Sequence, residues 1–134
     1  MITTSNPHNG FRGAYVLDYQ TEYWIAFAVY LPETMQQDSV CNALIWQLHA
    51  IPDRHLTPPE QYRNPTMCLQ LQRDGSWNFK IRSSSLQNNY PEGGDKTYEN
   101  NRSYDLGTRW LDDRGRWTSW VINFVLNDEA DGGS

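Results

Sequence analysis

From residue 22 to residue 31 the chain alternates. Tyr23, Ile25, Phe27, Val29 and Leu31 fall on one side of an extended backbone, and Trp24, Ala26, Ala28 and Tyr30 on the other. A period of two is that of a strand, and Pro32 ends it. The stretch ALIWQLHAI, residues 43–51, repeats the pattern, with Leu44, Trp46 and Leu48 against Ile45, Gln47, His49 and Ile51. The first set reads as core. The second carries an amide and an imidazole about 7 Å apart along the strand. Residues 66–73 set Met67, Leu69 and Leu71 against Cys68, Gln70 and Gln72, and residues 77–82 set Trp77, Phe79 and Ile81 against Asn78, Lys80 and Arg82. Between them, Asp74-Gly75-Ser76 is a hairpin signal. Residues 116–126 give a last strand with Thr118, Trp120, Ile122, Phe124 and Leu126 inward, and residues 10–17 predict a short first one.

The segments between these runs are turn-rich. Residues 52–65 contain Pro52, Pro58, Pro59 and Pro65 and must form a loop. Residues 83–107 are polar, with room for one more strand near residues 98–104, and a loop this long is more often functional than idle. No helical period and no internal repeat is present. Alternating strands joined by turns predict an all-β fold, an antiparallel β-sandwich or jelly roll, as a single domain over residues 1–134. Trp46, Phe79, Trp120, Ile122 and Phe124 are expected between the two sheets. If the strands line up, the other face gathers Gln47, His49, Gln70, Gln72, Asn78, Lys80, Arg82, Ser119 and Asn123.

Composition sharpens this picture. Six Trp, eight Tyr and four Phe are many for 134 residues and favour strands. The net charge of −5 argues against nucleic acid or an anionic membrane as partner, and no apolar run is long enough to span a bilayer. Against that acidic background, Lys80, Arg82 and the imidazole of His49 are local positives. Amides satisfy hydroxyls, and Arg and Lys pair with carboxylates or sulfates. With Trp24 and Tyr30 as stacking platforms, the face suits an anionic sugar. The competing interpretation is the ordinary solvated face of a half-exposed antiparallel sheet. Cys41 and Cys68 permit at most one disulfide. His49, Asp53 and His55 lie close in sequence but match no metal motif. The acidic loops PEGGDK and LDDRG contain oxygen ligands of the kind calcium takes but lack a calcium loop's regular pattern, so no cofactor is expected.

Four stretches, EYWIAFAVYLPE, ALIWQLHAIPD, GSWNFKIR and GRWTSWVINFV, in that order, resemble the polysaccharide lyases of the heparin lyase I and glucuronan lyase type. The most specific piece is Gln47-x-His49 following the YW…YLP strand, and the resemblance covers residues 11–131. It implies a concanavalin-like jelly roll with a substrate cleft on its concave sheet, and β-elimination on a uronic-acid polysaccharide. Gln47 would then donate to the C6 carboxylate, and His49 would be the base or a second donor. Arg12, Lys80 and Arg82 would hold carboxylates or sulfates, with Trp24, Gln70, Gln72, Asn78 and Asn123 completing the sugar surface.

Two departures stand beside the resemblance. The family's first-strand Arg-x-Glu keeps Arg12 but has Ala14 in place of the carboxylate. The strands number fewer than the roughly eight of a complete jelly roll, so the chain reads as the N-terminal part of a larger domain and is expected to be inactive alone. The family's proton donor is a tyrosine; Tyr30, Tyr62, Tyr90, Tyr98 and Tyr104 are candidates. Such an enzyme is expected outside the cell, although residues 1–10 show no signal peptide. The alternatives are a non-catalytic carbohydrate-binding jelly roll, such as a receptor-binding part of a larger assembly, and a purely structural sandwich.

Overall fold

The computed structural model describes residues 17–50, 52, 55–60, 64–84 and 100–126. Six strands are present among them: β1 (Glu22–Tyr30), β2 (Ala43–Leu48), β3 (Met67–Leu71), β4 (Ser76–Ser83), β5 (Asn100–Arg109) and β6 (Trp117–Val125). The one further element among the described residues is a 3-10 turn, Trp110–Asp113. The all-β expectation holds. β5 is longer than the strand anticipated near residues 98–104, and most of the strand expected over residues 10–17 lies outside the described residues.

The strands form a two-stranded sheet, β1-β6, and a four-stranded sheet, β2-β3-β4-β5. The chain divides into two compact units, residues 1–27 with 119–134, and residues 28–118. In the first, Tyr23 stacks on Phe124 at 5.8 Å, the Asn123 amide donates to Glu22 Oε1 at 2.9 Å, and Gln20 N donates to Leu126 O at 2.7 Å. Trp120, Ile122 and Phe124, expected to be buried, are half-buried, and the alternate positions are exposed.

The second unit contains the whole four-stranded sheet. Its β3–β4 hairpin follows from the DGS signal: Gly75 takes φ 92°, its N–H bonds Gln72 O, and Asp74 Oδ1 accepts from both the backbone N–H and the hydroxyl of Ser76. This is the left-handed position that a three-residue hairpin loop assigns to glycine. A Cβ at Gly75 would also lie 2.5 Å from Leu111 Cδ1, so the 3-10 turn packs where a side chain would stand. Trp110 sits fully buried there, its indole N–H donating to Gln72 O at 2.8 Å.

Register decides which side chains share a face. Trp46 pairs with Leu69, Leu69 with Phe79 and Phe79 with Tyr104; Leu48, Met67, Ile81 and Arg102 form the next such row. Trp46 and Phe79 stack at 6.3 Å from the strands on either side of β3, and Leu69 between them is fully buried. Burying one such leucine stabilises the fold by about 1.5–3 kcal/mol. Trp46 and Phe79 themselves are half-buried rather than buried as expected. The most buried apolar side chains are Leu31, Met67, Cys68, Leu69, Leu71, Trp77 and Trp110. All five residues of β3 are buried, and the strand has neighbours on both sides, whereas β2 and β5 are edges.

One expectation about β2 needs correction. Leu44 pairs with Gln70, but Trp46 pairs with Leu69, so Ile45 is an extra residue in a bulge. The bulge moves Leu44 off the Trp46–Leu48 face and onto the face of Gln70, where it is 49% exposed. Unbroken alternation would have placed it in the core.

Candidate functional site

Each polar row of the four-stranded sheet is set by its rungs. Gln47 on β2 pairs with Cys68, Cys68 with Lys80, and Lys80 with Ser103 on β5. In antiparallel pairs, directly opposed residues point to the same side. One line across four strands, about 14 Å long at strand spacing, therefore carries an amide, a thiol, an ammonium and a hydroxyl. The neighbouring rows add Gln70, Asn78 and Asp105 on one side, and Arg82 with Asn101 on the other. Gln72, just past β3, lies close enough to donate its amide to Gln70 Oε1 at 3.0 Å. Gln47, Gln70, Gln72, Asn78, Lys80 and Arg82 are thus brought onto one side of one sheet.

These groups are not equally available. Gln47 and Ser103 are exposed, and Lys80 and Arg82 are half-buried. Gln70 and Asn78 are buried, and Cys68 is fully so. Asn78 is spent on the fold: its Nδ2 donates to Tyr104 O at 2.8 Å and its Oδ1 accepts from the Ser103 hydroxyl at 2.8 Å. Those bonds brace the place where β5 leaves regular register between Ser76 and Asn78. Arg82 is partly committed too. Its Nη1 donates to Pro65 O at 2.7 Å and lies 3.9 Å from Cys68 Sγ, while its backbone N–H bonds Thr66 O. It ties the start of β3 to β4. The row open to a ligand is the one that runs from Gln47 through Lys80 to Ser103.

His49 follows the end of β2, and its Nδ1 lies 3.0 Å from Ala50 O. A carbonyl only accepts, so the ring nitrogen is the donor in that contact. The expected juxtaposition with Gln47 on a continuous strand is modified, because the strand stops at Leu48.

Other expected members lie elsewhere. Trp24 is 68% exposed on β1 and Asn123 is on β6, so both belong to the two-stranded sheet rather than to this polar face; Ser119 does likewise. Sequence alternation gives each residue a face but does not say which strands join. Arg12 lies outside the described residues, as do Asp53, Tyr62, Tyr90 and Tyr98. Tyr104 pairs with Phe79 and so points away from the polar face, and Tyr30 lies on β1 in the other sheet. Tyr104 therefore does not supply the expected phenol on that face.

Asn101, Ser103 and Asp105 are additions that sequence analysis missed. Their signal was the alternation of Asn101, Ser103 and Asp105 against Arg102, Tyr104 and Leu106, hidden in a polar, turn-rich segment. Asp105 places one carboxylate on the row of Asn78, next to that of Lys80, but its Oδ1 already accepts from Gly107 N at 2.9 Å. A polar cavity of about 300 Å³ opens nearby, lined by Asp74, Ser76, Asp105, Gly107, Thr108 and Arg109. The Ser76 hydroxyl and, after it, the Ser76 N–H hold the Asp74 carboxyl below the usual carboxylate range. Cys41 and Cys68 are both free thiols, the first exposed and the second buried.

The model of a family described as polysaccharide lyase matches residues 1–134, the whole chain. No curated protein matches it. No solved structure matches it. The chain belongs to the polysaccharide lyase family.

Proposed function

We propose that this member of the polysaccharide lyase family acts on an anionic, uronic-acid-containing polysaccharide by β-elimination, in the manner of the heparin lyase I and glucuronan lyase type. The observation that carries the reading is the row Gln47–Cys68–Lys80–Ser103, which puts an amide, an ammonium and a hydroxyl on one face of one sheet. Elimination requires that the C6 carboxylate be neutralised, the C5 proton removed and the leaving O4 protonated. The C5 proton becomes acidic only as charge on the developing enolate is stabilised, so fixed donors do much of the work. Gln47 donates its NH₂ to the carboxylate, and Lys80 supplies the positive charge that an acidic polymer needs to approach an acidic protein. His49 takes the C5 proton. Arg12, Gln70 and Gln72 are sugar contacts in this reading, and secretion gives the enzyme access to its polymer. Asn78 and Arg82 serve chiefly to hold the sheet that presents the row.

The test is incubation of the protein with glucuronan, alginate and heparin while following the ultraviolet absorbance of the unsaturated uronate that elimination leaves. Gln47→Ala should cost about 10²–10³ in rate, and His49→Ala about 10²–10⁴. Unchanged turnover by the double variant would remove both from the mechanism.

A second reading has an observation in its favour. Tyr104 shares a face with Phe79 and not with Lys80, so it does not supply a proton donor on the row. A non-catalytic carbohydrate-binding jelly roll needs no such donor. Binding of these polymers without any rise in absorbance would select it.

A further inference from the structure

Ser103 is exposed on the edge strand β5, directly opposite Lys80. The proton of its hydroxyl is already committed. Ser103 Oγ lies 2.8 Å from Asn78 Oδ1, and the Asn78 amide is held in that sense because its Nδ2 donates to Tyr104 O at 2.8 Å. An amide oxygen and a backbone carbonyl only accept. Ser103 is therefore the donor in the first bond, and it offers lone pairs alone to anything outside. Asn78 is buried, so water competes poorly for these bonds.

Asp105 extends the same property along the strand. It pairs with Asn78 as Ser103 pairs with Lys80, so both side chains stand on one face, about 7 Å apart. An ionised carboxylate also only accepts. The cavity beside Asp105 adds the Asp74 carboxylate and the Arg109 guanidinium, which leaves that end of the face with an excess of negative charge. One strand further in, Lys80 and Arg82 make the face positive. The polar face is thus divided, with cations on β4 and acceptors on the β5 edge.

A uronate residue offers two kinds of oxygen to such a face. Its carboxylate only accepts and is matched by Lys80. Its ring hydroxyls donate as well as accept, and a donated O–H is what Ser103 and Asp105 can take. A sulfate ester in place of that hydroxyl has no proton to give and brings a second negative charge towards Asp105. Opposed Cβ atoms on neighbouring strands are about 4.5–5.5 Å apart, so one sugar residue can meet Lys80 and Ser103 together. We propose that Ser103 and Asp105 determine specificity, by selecting a free sugar hydroxyl beside the uronate held at Lys80 and rejecting a sulfate there. The substrate class is then an unsulfated uronan. The inference rests on the reading of the row from Gln47 through Lys80 to Ser103 as the sugar site, and Asn78 acts in it as a positioning residue.

Charge attraction alone predicts the opposite ranking, because sulfation makes a polymer more strongly drawn to Lys80 and Arg82. Affinity electrophoresis of the protein in gels containing glucuronan, or the same glucuronan after chemical O-sulfation, gives both Kd values at one ionic strength. Wild type should bind the unsulfated polymer about tenfold more tightly. Asp105→Asn keeps an acceptor for the Gly107 N–H, removes the charge and adds a donor, so it should bring the ratio of the two Kd values close to one. Ser103→Ala should weaken binding of glucuronan more than of its sulfated form, and Ser103→Thr, which keeps the hydroxyl, should restore the ratio. Asn78→Ala frees the Ser103 proton to turn outward and should lower the ratio as well, which a general loss of stability does not do. Circular dichroism accompanies each variant, and if Asn78→Ala does not fold, Asp105→Asn and Ser103→Ala carry the test. Lys80→Ala separates the inference from the reading beneath it, because it should weaken binding of both polymers. Equal or tighter binding of the sulfated polymer by wild type, or a ratio that Asp105→Asn and Ser103→Ala leave unchanged, would overturn the inference while binding that depends on Lys80 left the row standing. Binding of both polymers that ignores Lys80→Ala, or binding of neither, would overturn the row and the inference together.

Discussion

Gly75→Ala and Gly107→Ala form a matched pair that separates backbone strain from steric conflict. Both glycines have positive φ, 92° and 70°, and forcing an alanine into that region costs about 1–2 kcal/mol. Their surroundings differ. Nothing lies within 4 Å of a Cβ at Gly107, but one at Gly75 meets Leu111 Cδ1 at 2.5 Å and Arg109 Nη2 at 2.7 Å. The guanidinium is the far end of a flexible side chain and can swing away. Leu111 follows Trp110, whose indole is buried and hydrogen-bonded to Gln72 O, so displacing it disturbs the 3-10 turn. Overpacking of this kind costs about 1–3 kcal/mol. Gly107→Ala should therefore lose about 1–2 kcal/mol, and Gly75→Ala about 2–5 kcal/mol. Urea unfolding of the two variants and wild type measures the difference; with a slope of about 1–3 kcal/mol per molar, Gly75→Ala should shift the midpoint roughly twice as far. Asparagine tolerates this backbone region better than alanine, so Gly107→Asn should recover part of the loss and Gly75→Asn should not. Equal losses at the two alanine positions would refute the packing of Leu111 against the hairpin.

Lys80→Ala should slow capture of an anionic polymer most at low salt, with the difference from wild type shrinking as ionic strength rises; a stopped-flow association series tests this. Tyr104→Phe should leave turnover on any accepted polymer unchanged, since Tyr104 shares a face with Phe79 and not with Lys80; a large loss of rate would place its phenol in the site. The Asp74 carboxyl is held below its ordinary range first by the Ser76 hydroxyl and then by the Ser76 N–H. A depressed folded pKa contributes stability that is fully present above the unfolded value of about 3.9 and is lost as pH falls through the folded value. Asp74→Asn should therefore flatten the acid limb of thermal stability below about pH 4 and leave it level near neutrality, as read by melting curves across pH.

The sheet faces were legible where alternation ran without interruption. Met67, Leu69 and Leu71 do oppose Gln70 and Cys68, and Trp77, Phe79 and Ile81 do oppose Asn78, Lys80 and Arg82, because period two is a property of the backbone. The hairpin at Asp74-Gly75 was legible for a similar reason: only certain residues accept its dihedral angles. The bulge at Ile45 was not, since nothing in ALIWQ marks a residue as extra; it arises from pairing with β3. That Asn123 and Trp24 fall on the two-stranded sheet was not legible, because strand order is a tertiary fact. Burial of Trp110 was hidden because the 3-10 turn that carries it shows no period. Asn101, Ser103 and Asp105 were obscured by a composition that reads as turn.

Cys68 sits in the middle of the candidate row, fully buried on the central strand between Gln47 and Lys80. The exposed Cys41 is open to a thiol reagent, but Cys68 can react only when the groups over its sulfur, Arg82 among them, or the sheet itself move aside. Its rate of modification is therefore a clock for local opening around it, built into the chain without any engineered label. A polymer lying across Gln47 and Lys80 should slow that clock, while one bound elsewhere on the chain has no direct reason to. The same buried sulfur thus converts occupancy of the polar row into a chemical rate, independent of whether any sugar bond is cut.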